Sequence, residues 1–237
     1  MHVRIALAGA VAFTLVLGLV AAVPLAPPRA LPSASPSPSP IARQTPSPRL
    51  GPSPEPAVRS GSSARARVGP LRIPVAGLTI PEEATLLPGS ARDYRGGIHE
   101  GIDFPADAGT PVLAAAAGRV VRADLVFIDW SAAERAAALA QALALGRTSE
   151  ATLDRIRGRQ VWIDHGRGVV TRYSHLERVT VAEGEELRSG AVIGAVGSSG
   201  LPEGGPHLHL EIRIGDSYLG EELTPAKLAR ALRAAFP

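Results

Sequence analysis

A mainly β fold, interrupted once by a helical hairpin and closed by a final helix, is predicted for residues 71–237 of this 237-residue chain. Three observations predict it. Short β-branched runs recur between Gly-rich turn signals, one Ala/Leu-rich block carries helix start and stop signals, and Thr224-Pro225 opens a last amphipathic stretch. The chain has no Cys, which excludes disulfides, thiolate nucleophiles, iron–sulfur clusters and Cys-ligated zinc, so any metal must sit on His and carboxylates. The net charge of +3 is unevenly spread. Residues 5–72 hold seven Arg against Glu55 alone, whereas residues 73–237 hold 17 basic and 21 acidic side chains. The folding part is therefore acidic, and no nucleic-acid partner is expected.

Taken in order, Ile5 to Val23 is an uncharged apolar run behind Arg4, long enough at about 28 Å to cross a hydrocarbon core. Residues 1–23 thus read as a cleavable export signal or an N-terminal membrane anchor, with an extracytoplasmic, cell-envelope location for the rest in either case. Residues 24–70 read as a Pro/Ser/Arg-rich disordered linker, with 12 of the 22 prolines between residues 24 and 56. Strands are expected at Pro111 to Leu113, Arg119 to Ala123, Val161 to Asp164, Val169 to Ser174, Val192 to Val196 and His207 to Arg213. Between the second and third lies a helical insertion, about residues 124–158. Ser131 and Glu134 form a capping-box signal, Ala136, Leu139 and Leu143 share one expected face, and Gly146 is a stop. A second short helix is expected from Ser149 to Arg157, ended by Gly158. The final helix places Leu228 and Leu232 on one side, with Pro225 in its first turn.

Four of the six His stand in informative places. His99 and Asp103 lie four apart around Gly101; a straight strand would separate their backbones by about 13 Å, so a shared metal requires a bend, cheapest at Gly101. His207-Leu208-His209-Leu210-Glu211-Ile212 alternates cleanly, which puts both imidazoles on one strand face and the aliphatic side chains on the other. His175 ends a strand, where a loop can aim it into a cleft. His165, in Ile163-Asp164-His165-Gly166, reads as a turn residue. Glu100 and Glu211 flank this set and read as exposed, or as hydrogen-bonding partners of the histidines. The glycines from Gly194 to Gly205 lack the P-loop pattern and read as tight turns leading into the His207 strand.

The blocks Asp93-Tyr94-Arg95-Gly96-Gly97-Ile98-His99-Glu100-Gly101-Ile102-Asp103-Phe104, Gly109-Thr110-Pro111-Val112, Gly118-Arg119-Val120-Val121, Ile163-Asp164-His165-Gly166, Tyr173-Ser174-His175-Leu176, Gly194 to Gly200 and His207-Leu208-His209 stand in one order. In that order they resemble the lysostaphin-like, or LytM-type, zinc metallopeptidases, from about Pro88 to Leu228. The resemblance implies an antiparallel sheet core of the duplicated-hybrid-motif, or barrel-sandwich-hybrid, type. It also implies an exported zinc endopeptidase whose substrate is a peptidoglycan stem or cross-bridge peptide. Carried over, His99, Asp103 and His209 are the ligands of one Zn2+, and His175 and His207 are the catalytic histidines beside the open position. Two neutral imidazoles and one carboxylate match the open, catalytic zinc pattern. Which of His175 and His207 acts as base and which stabilises the oxyanion stays open. The insertion departs from shorter members of the family and is placed to wall or cap the groove. If it blocks the groove, the chain would instead be a non-catalytic peptidoglycan-binding regulator or activator of another wall hydrolase.

Overall fold

The computed structural model describes residues 69–92 and 97–237. The expected signal or anchor, and the linker up to residue 68, lie outside the described residues. Among the described residues no helix is long and apolar enough to cross a membrane.

Among the described residues, twelve strands follow in order: β1 (Ala91–Arg92), β2 (Gly97–Ile98), β3 (Ile102–Pro105), β4 (Pro111–Leu113), β5 (Gly118–Ala123), β6 (Val161–Asp164), β7 (Val169–Ser174), β8 (Leu176–Val179), β9 (Glu186–Leu187), β10 (Val192–Val196), β11 (His207–Ile214) and β12 (Ser217–Tyr218). Helices α1 (Ala132–Leu145) and α2 (Glu150–Arg157) interrupt them between β5 and β6, and α3 (Pro225–Ala235) ends the fold. The large sheet runs β12-β11-β7-β6-β5-β9, with β3 also on β11, and a smaller sheet runs β4-β10-β8. Every pairing is antiparallel. The mainly β expectation holds, and the six expected strands are present within one residue of their expected ends. β1, β2, β3, β8, β9 and β12 were not anticipated; at two to four residues they are too short to show a repeating apolar pattern.

One apolar core joins the sheets. Val112, Ile193, Val196 and Leu176 from the small sheet meet Ile102, Phe104, Val161, Ile163, Leu208 and Leu210 from the large one. Leu228, Leu232 and Ala235 of α3 bury into the same core, and Leu71 N–H donates to the Ala235 carbonyl (2.7 Å), closing the two ends of the domain together. His165 is the turn residue expected: its Nδ1 lies 2.8 Å from Ala117 O and its Nε2 2.7 Å from Thr171 Oγ1. Thr171 in turn shares a hydrogen bond with the Tyr173 hydroxyl (3.0 Å), which accepts the buried Ala115 N–H (2.8 Å). This polar thread crosses the core, and burial raises the Tyr173 pKa to about 12.

The hairpin grows from two paired strand ends, Ala123 opposite Val161. Its base is fixed by Arg122, whose guanidinium reaches Asp124 (2.9 Å) and Asp154 (2.5 Å), and by Gln160, which closes on Asp124 through its backbone. Ser131 and Glu134 form the expected capping box, and Gly146 takes the left-handed C-cap conformation (φ 62°). The buried face of α1 keeps Leu139 of the three residues expected on it and is otherwise turned. Leu143 is exposed, Ala136 is exposed, and Arg135, Ala138, Leu139 and Ala142 turn inward. The reason is what the helix packs on. Its neighbour is a small cluster of Trp130, Ile156 and Leu201 together with the Glu203 carboxylate, which draws the Arg135 guanidinium down (2.5 Å). Trp130 Nε1–H donates to Gly200 O (2.8 Å), and Gly200 N–H donates to Asp129 (2.9 Å). Gly158 (φ 67°) sits so close to the Ser199 backbone that a side chain there would collide with it.

Tyr173→Phe, which leaves the buried Ala115 N–H unpaired, is expected to lower stability by about 1–3 kcal/mol in urea unfolding without altering the far-ultraviolet circular dichroism spectrum.

Candidate metal centre

Sheet register brings the site together. Pairing of β3 with β11 sets Asp103 opposite His209, and pairing of β7 with β11 sets Ser174 opposite His209, so His175 follows at the strand end. His99 is carried in from β2, its backbone clamped by His99 N–H to Ser90 O and Gly89 N–H to His99 O (2.8 Å each). The chain turns between them at Gly101, as expected, but the glycine answers a second need. A Cβ at 101 would lie 2.6 Å from Leu210 O and 2.7 Å from the His209 ring.

His99 Nε2, Asp103 Oδ1 and His209 Nδ1 lie within 2.8–3.0 Å of one another, and all three side chains are buried. The outer ring nitrogens face acceptors only: His99 Nδ1 meets Leu87 O (3.1 Å) and His209 Nε2 meets the Glu211 carboxylate (3.3 Å). Those outer nitrogens therefore carry protons, so the inner ones offer lone pairs to a metal once any proton shared with Asp103 has left. Burial lowers the His99 pKa to about 4, keeping it neutral. Burial alone would raise the Asp103 pKa, but hydrogen bonds from His209 and His99 outweigh it and hold the carboxylate well below its usual range. Burial likewise opposes protonation of His209, yet its bonds to Asp103 and Glu211 win and raise its pKa. Once the proton shared among them is displaced, two imidazole nitrogens and a carboxylate oxygen face one centre and can all offer lone pairs to a cation. A tetrahedral zinc with bonds of about 2.0–2.1 Å holds its donors about 3.3–3.4 Å apart, so the three must spread by only a few tenths of an ångström. The donor set fits zinc.

His175 and His207 stand beside this centre, their ring centroids 4.6 Å apart and His175 5.8 Å from His209. His175 is a non-glycine residue in the left-handed region (φ 63°), held there by His175 N–H to Arg157 O (2.8 Å) and by its Nδ1 to Ser199 O (2.9 Å). Burial, then the nearby His207 and His209, pushes its pKa well below the usual imidazole value. His207 places Nδ1 on Gly205 O (2.9 Å) and Nε2 3.8 Å from Asp103 Oδ1.

A cleft of about 490 Å³ opens over these residues. Asp103, His175 and His207 line it, with Arg92 to one side and Leu86, Leu139, Leu201 and Pro206 as apolar walls. The hairpin therefore walls the cleft through Leu139. Arg92, which donates to Asp103 Oδ2 (3.0 Å), was missed because it precedes the motif and carries no signal of its own. Glu211 is buried and bonds His209, the second of its two expected readings; Glu100 is half-buried and pairs with Arg157 (2.9 Å) and Arg213 (2.8 Å).

A metal ion binding at this centre would displace the proton that Asp103 and Glu211 help His209 to hold. Titration calorimetry with zinc in buffers of different ionisation heat is expected to show proton release that grows, and affinity that falls, as the pH is lowered through the raised His209 pKa. His209→Ala is expected to abolish zinc binding, whereas His207→Ala keeps most of it.

The sequence profile described as Peptidase family M23 matches residues 97–221. A DD-carboxypeptidase/endopeptidase, Mpg, of Neisseria meningitidis serogroup B is 36% identical over 132 residues, which cover 56% of this chain and 23% of that protein. A peptidoglycan DD-endopeptidase, ShyC, of Vibrio cholerae is 29% identical over 116 residues, covering 49% of this chain and 20% of that protein. Among solved structures, the antimicrobial peptidase lysostaphin from Staphylococcus simulans is 26% identical with a TM-score of 0.38, covering 57% of this chain and 45% of that one. The chain thus spans about a fifth to a quarter of the length of these two curated relatives.

Proposed function

The chain belongs to peptidase family M23, and on that premise we propose that it is a zinc-dependent endopeptidase hydrolysing peptide bonds in peptidoglycan stem or cross-bridge peptides. The observation that carries the reading is the convergence of His99 Nε2, Asp103 Oδ1 and His209 Nδ1 beneath a cleft walled by His175 and His207. The relatives' names, which specify peptidoglycan and DD-peptide bonds, support the substrate class. Peptidoglycan lies outside the cytoplasm, where the apolar run at residues 5–23 would deliver or tether the chain.

His99, Asp103 and His209 would hold the zinc. When bound there, zinc supplies Lewis acidity, polarising an amide carbonyl and lowering the pKa of a water toward about 7. The remaining work falls to the two cleft histidines. With Nδ1–H donated to Ser199 O, His175 has its second nitrogen, Nε2, in the basic form, and its depressed pKa keeps it unprotonated at neutral pH. His207, with Nδ1–H on Gly205 O, is set in the same tautomer. One ring accepts the proton of the attacking water and returns it to the departing amine, while the other steadies the oxygen that gains negative charge. Leu86, Leu139, Leu201 and Pro206 exclude water around an extended peptide, and Arg92, tied to Asp103, adds a positive charge at the rim.

Incubation of the purified chain with peptidoglycan, followed by mass spectrometry of released fragments, tests the reading. New peptide amino termini are expected with zinc, none with a chelator, and at least about a hundredfold slower release from His207→Ala. Zinc-loaded chain that binds peptidoglycan but releases nothing would overturn it.

A further inference from the structure

The helical hairpin between β5 and β6 does more than wall the cleft. Arg157, the last residue of α2, is buried, with 5% of its surface exposed, and its groups go to three places at the centre. Its Nε donates to Glu211 Oε1 (2.6 Å), the same oxygen that meets His209 Nε2 (3.3 Å). Its Nη2 donates to Glu100 Oε2 (2.9 Å), on the residue next to His99. Its carbonyl accepts the His175 N–H (2.8 Å), which helps keep that residue in its left-handed conformation.

Resting on the zinc reading above, we propose that Arg157 is a positioning residue that aims Glu211 Oε1 at His209 Nε2, thereby fixing the imidazole with its Nδ1 toward Asp103 and His99. The argument is one of geometry. A carboxylate that rotates away from His209 no longer dictates which ring nitrogen carries the proton, and the inward lone pair is lost whenever the other tautomer forms. Arg172 and Arg213 also approach Glu211, but at 3.4 and 3.5 Å and on Oε2 rather than on the oxygen that meets His209. Arg157 alone among these three holds the oxygen that the histidine uses. An apparent insertion thus supplies a part of the centre that no other segment duplicates in kind.

The test uses the full chain as wild type, Arg157→Met, Arg157→Lys, Glu211→Gln and the Arg157→Met/Glu211→Gln double variant. Zinc affinity is read by competition with a chromophoric chelator, coordination by the visible spectrum of the Co2+ form, and folding by thermal unfolding of the metal-free protein. Arg157→Met is expected to weaken zinc by about 10- to 100-fold and to alter the Co2+ spectrum, with partial recovery in Arg157→Lys. The double variant is expected to bind no more weakly than Glu211→Gln, because both changes act through one contact. Wild-type affinity in folded Arg157→Met, or losses that multiply in the double variant, would overturn the inference while leaving the metal centre standing. Should Arg157→Met fail to fold, the comparison of the charge-neutral double variant with Glu211→Gln decides alone: equal affinity supports, weaker affinity overturns. A wild-type chain that binds no zinc removes the centre and this inference together.

Discussion

The antiparallel register of β3 on β11 is the constraint from which the rest of the site follows. It sets Asp103 and His209 directly opposite one another, where cross-strand side chains must touch. Burying a carboxylate against two imidazoles is unfavourable unless every polar atom finds a partner. The surrounding structure answers that demand atom by atom. Leu87 O takes the outer nitrogen of His99, Glu211 takes that of His209, and Arg92 takes the second Asp103 oxygen. What those partners leave is the two inner nitrogens and one Asp103 oxygen facing one another, a donor set that a metal can take over from a shared proton.

Satisfying Glu211 then extends the network outward. The strand that bears it is buried on both faces, Leu208, Leu210 and Ile212 toward the apolar core and His209 and Glu211 toward the polar side. A polar face so covered requires counter-charges, and Arg157, Arg172 and Arg213 supply them from three different elements. The position of the hairpin is thus coupled to the electrostatics of the strand that carries His207 and His209. The same coupling explains why α1 turns Arg135, rather than an unbroken leucine stripe, toward the domain: its docking surface is a loop with a carboxylate, Glu203, and not the main core.

Much of this was legible before any coordinates. The alternation from His207 to Ile212 has period two and forces paired histidines onto one face, and the spacing around Gly101 demands a bend. Those patterns are local, so sequence displays them. The capping box at Ser131 and the stop at Gly146 were legible for the same reason. The face of α1 was legible only at Leu139, because Ala136, Leu139 and Leu143 at helical spacing describe a helix but not its neighbour. Arg157 was illegible too: it stands in an Arg155, Arg157, Arg159 alternation in which only the middle residue is deeply buried. Its partners lie 54 and 57 residues away along the chain, beyond the reach of any local pattern.

The double grip on Gly200 has a consequence for exchange between related chains. Its carbonyl is taken by Trp130 and its N–H by Asp129, while Glu203 is taken by Arg135 and Ser199 Oγ by Arg159 N–H. Hairpin and loop are therefore held as one piece, anchored further by Arg122 on Asp124 and Asp154 and by Arg157 on Glu100 and Glu211. Grafted alone, either half would arrive with those donors and acceptors unpaired, so an exchange that keeps the groove wall must carry both together with Arg122, Glu100 and Glu211.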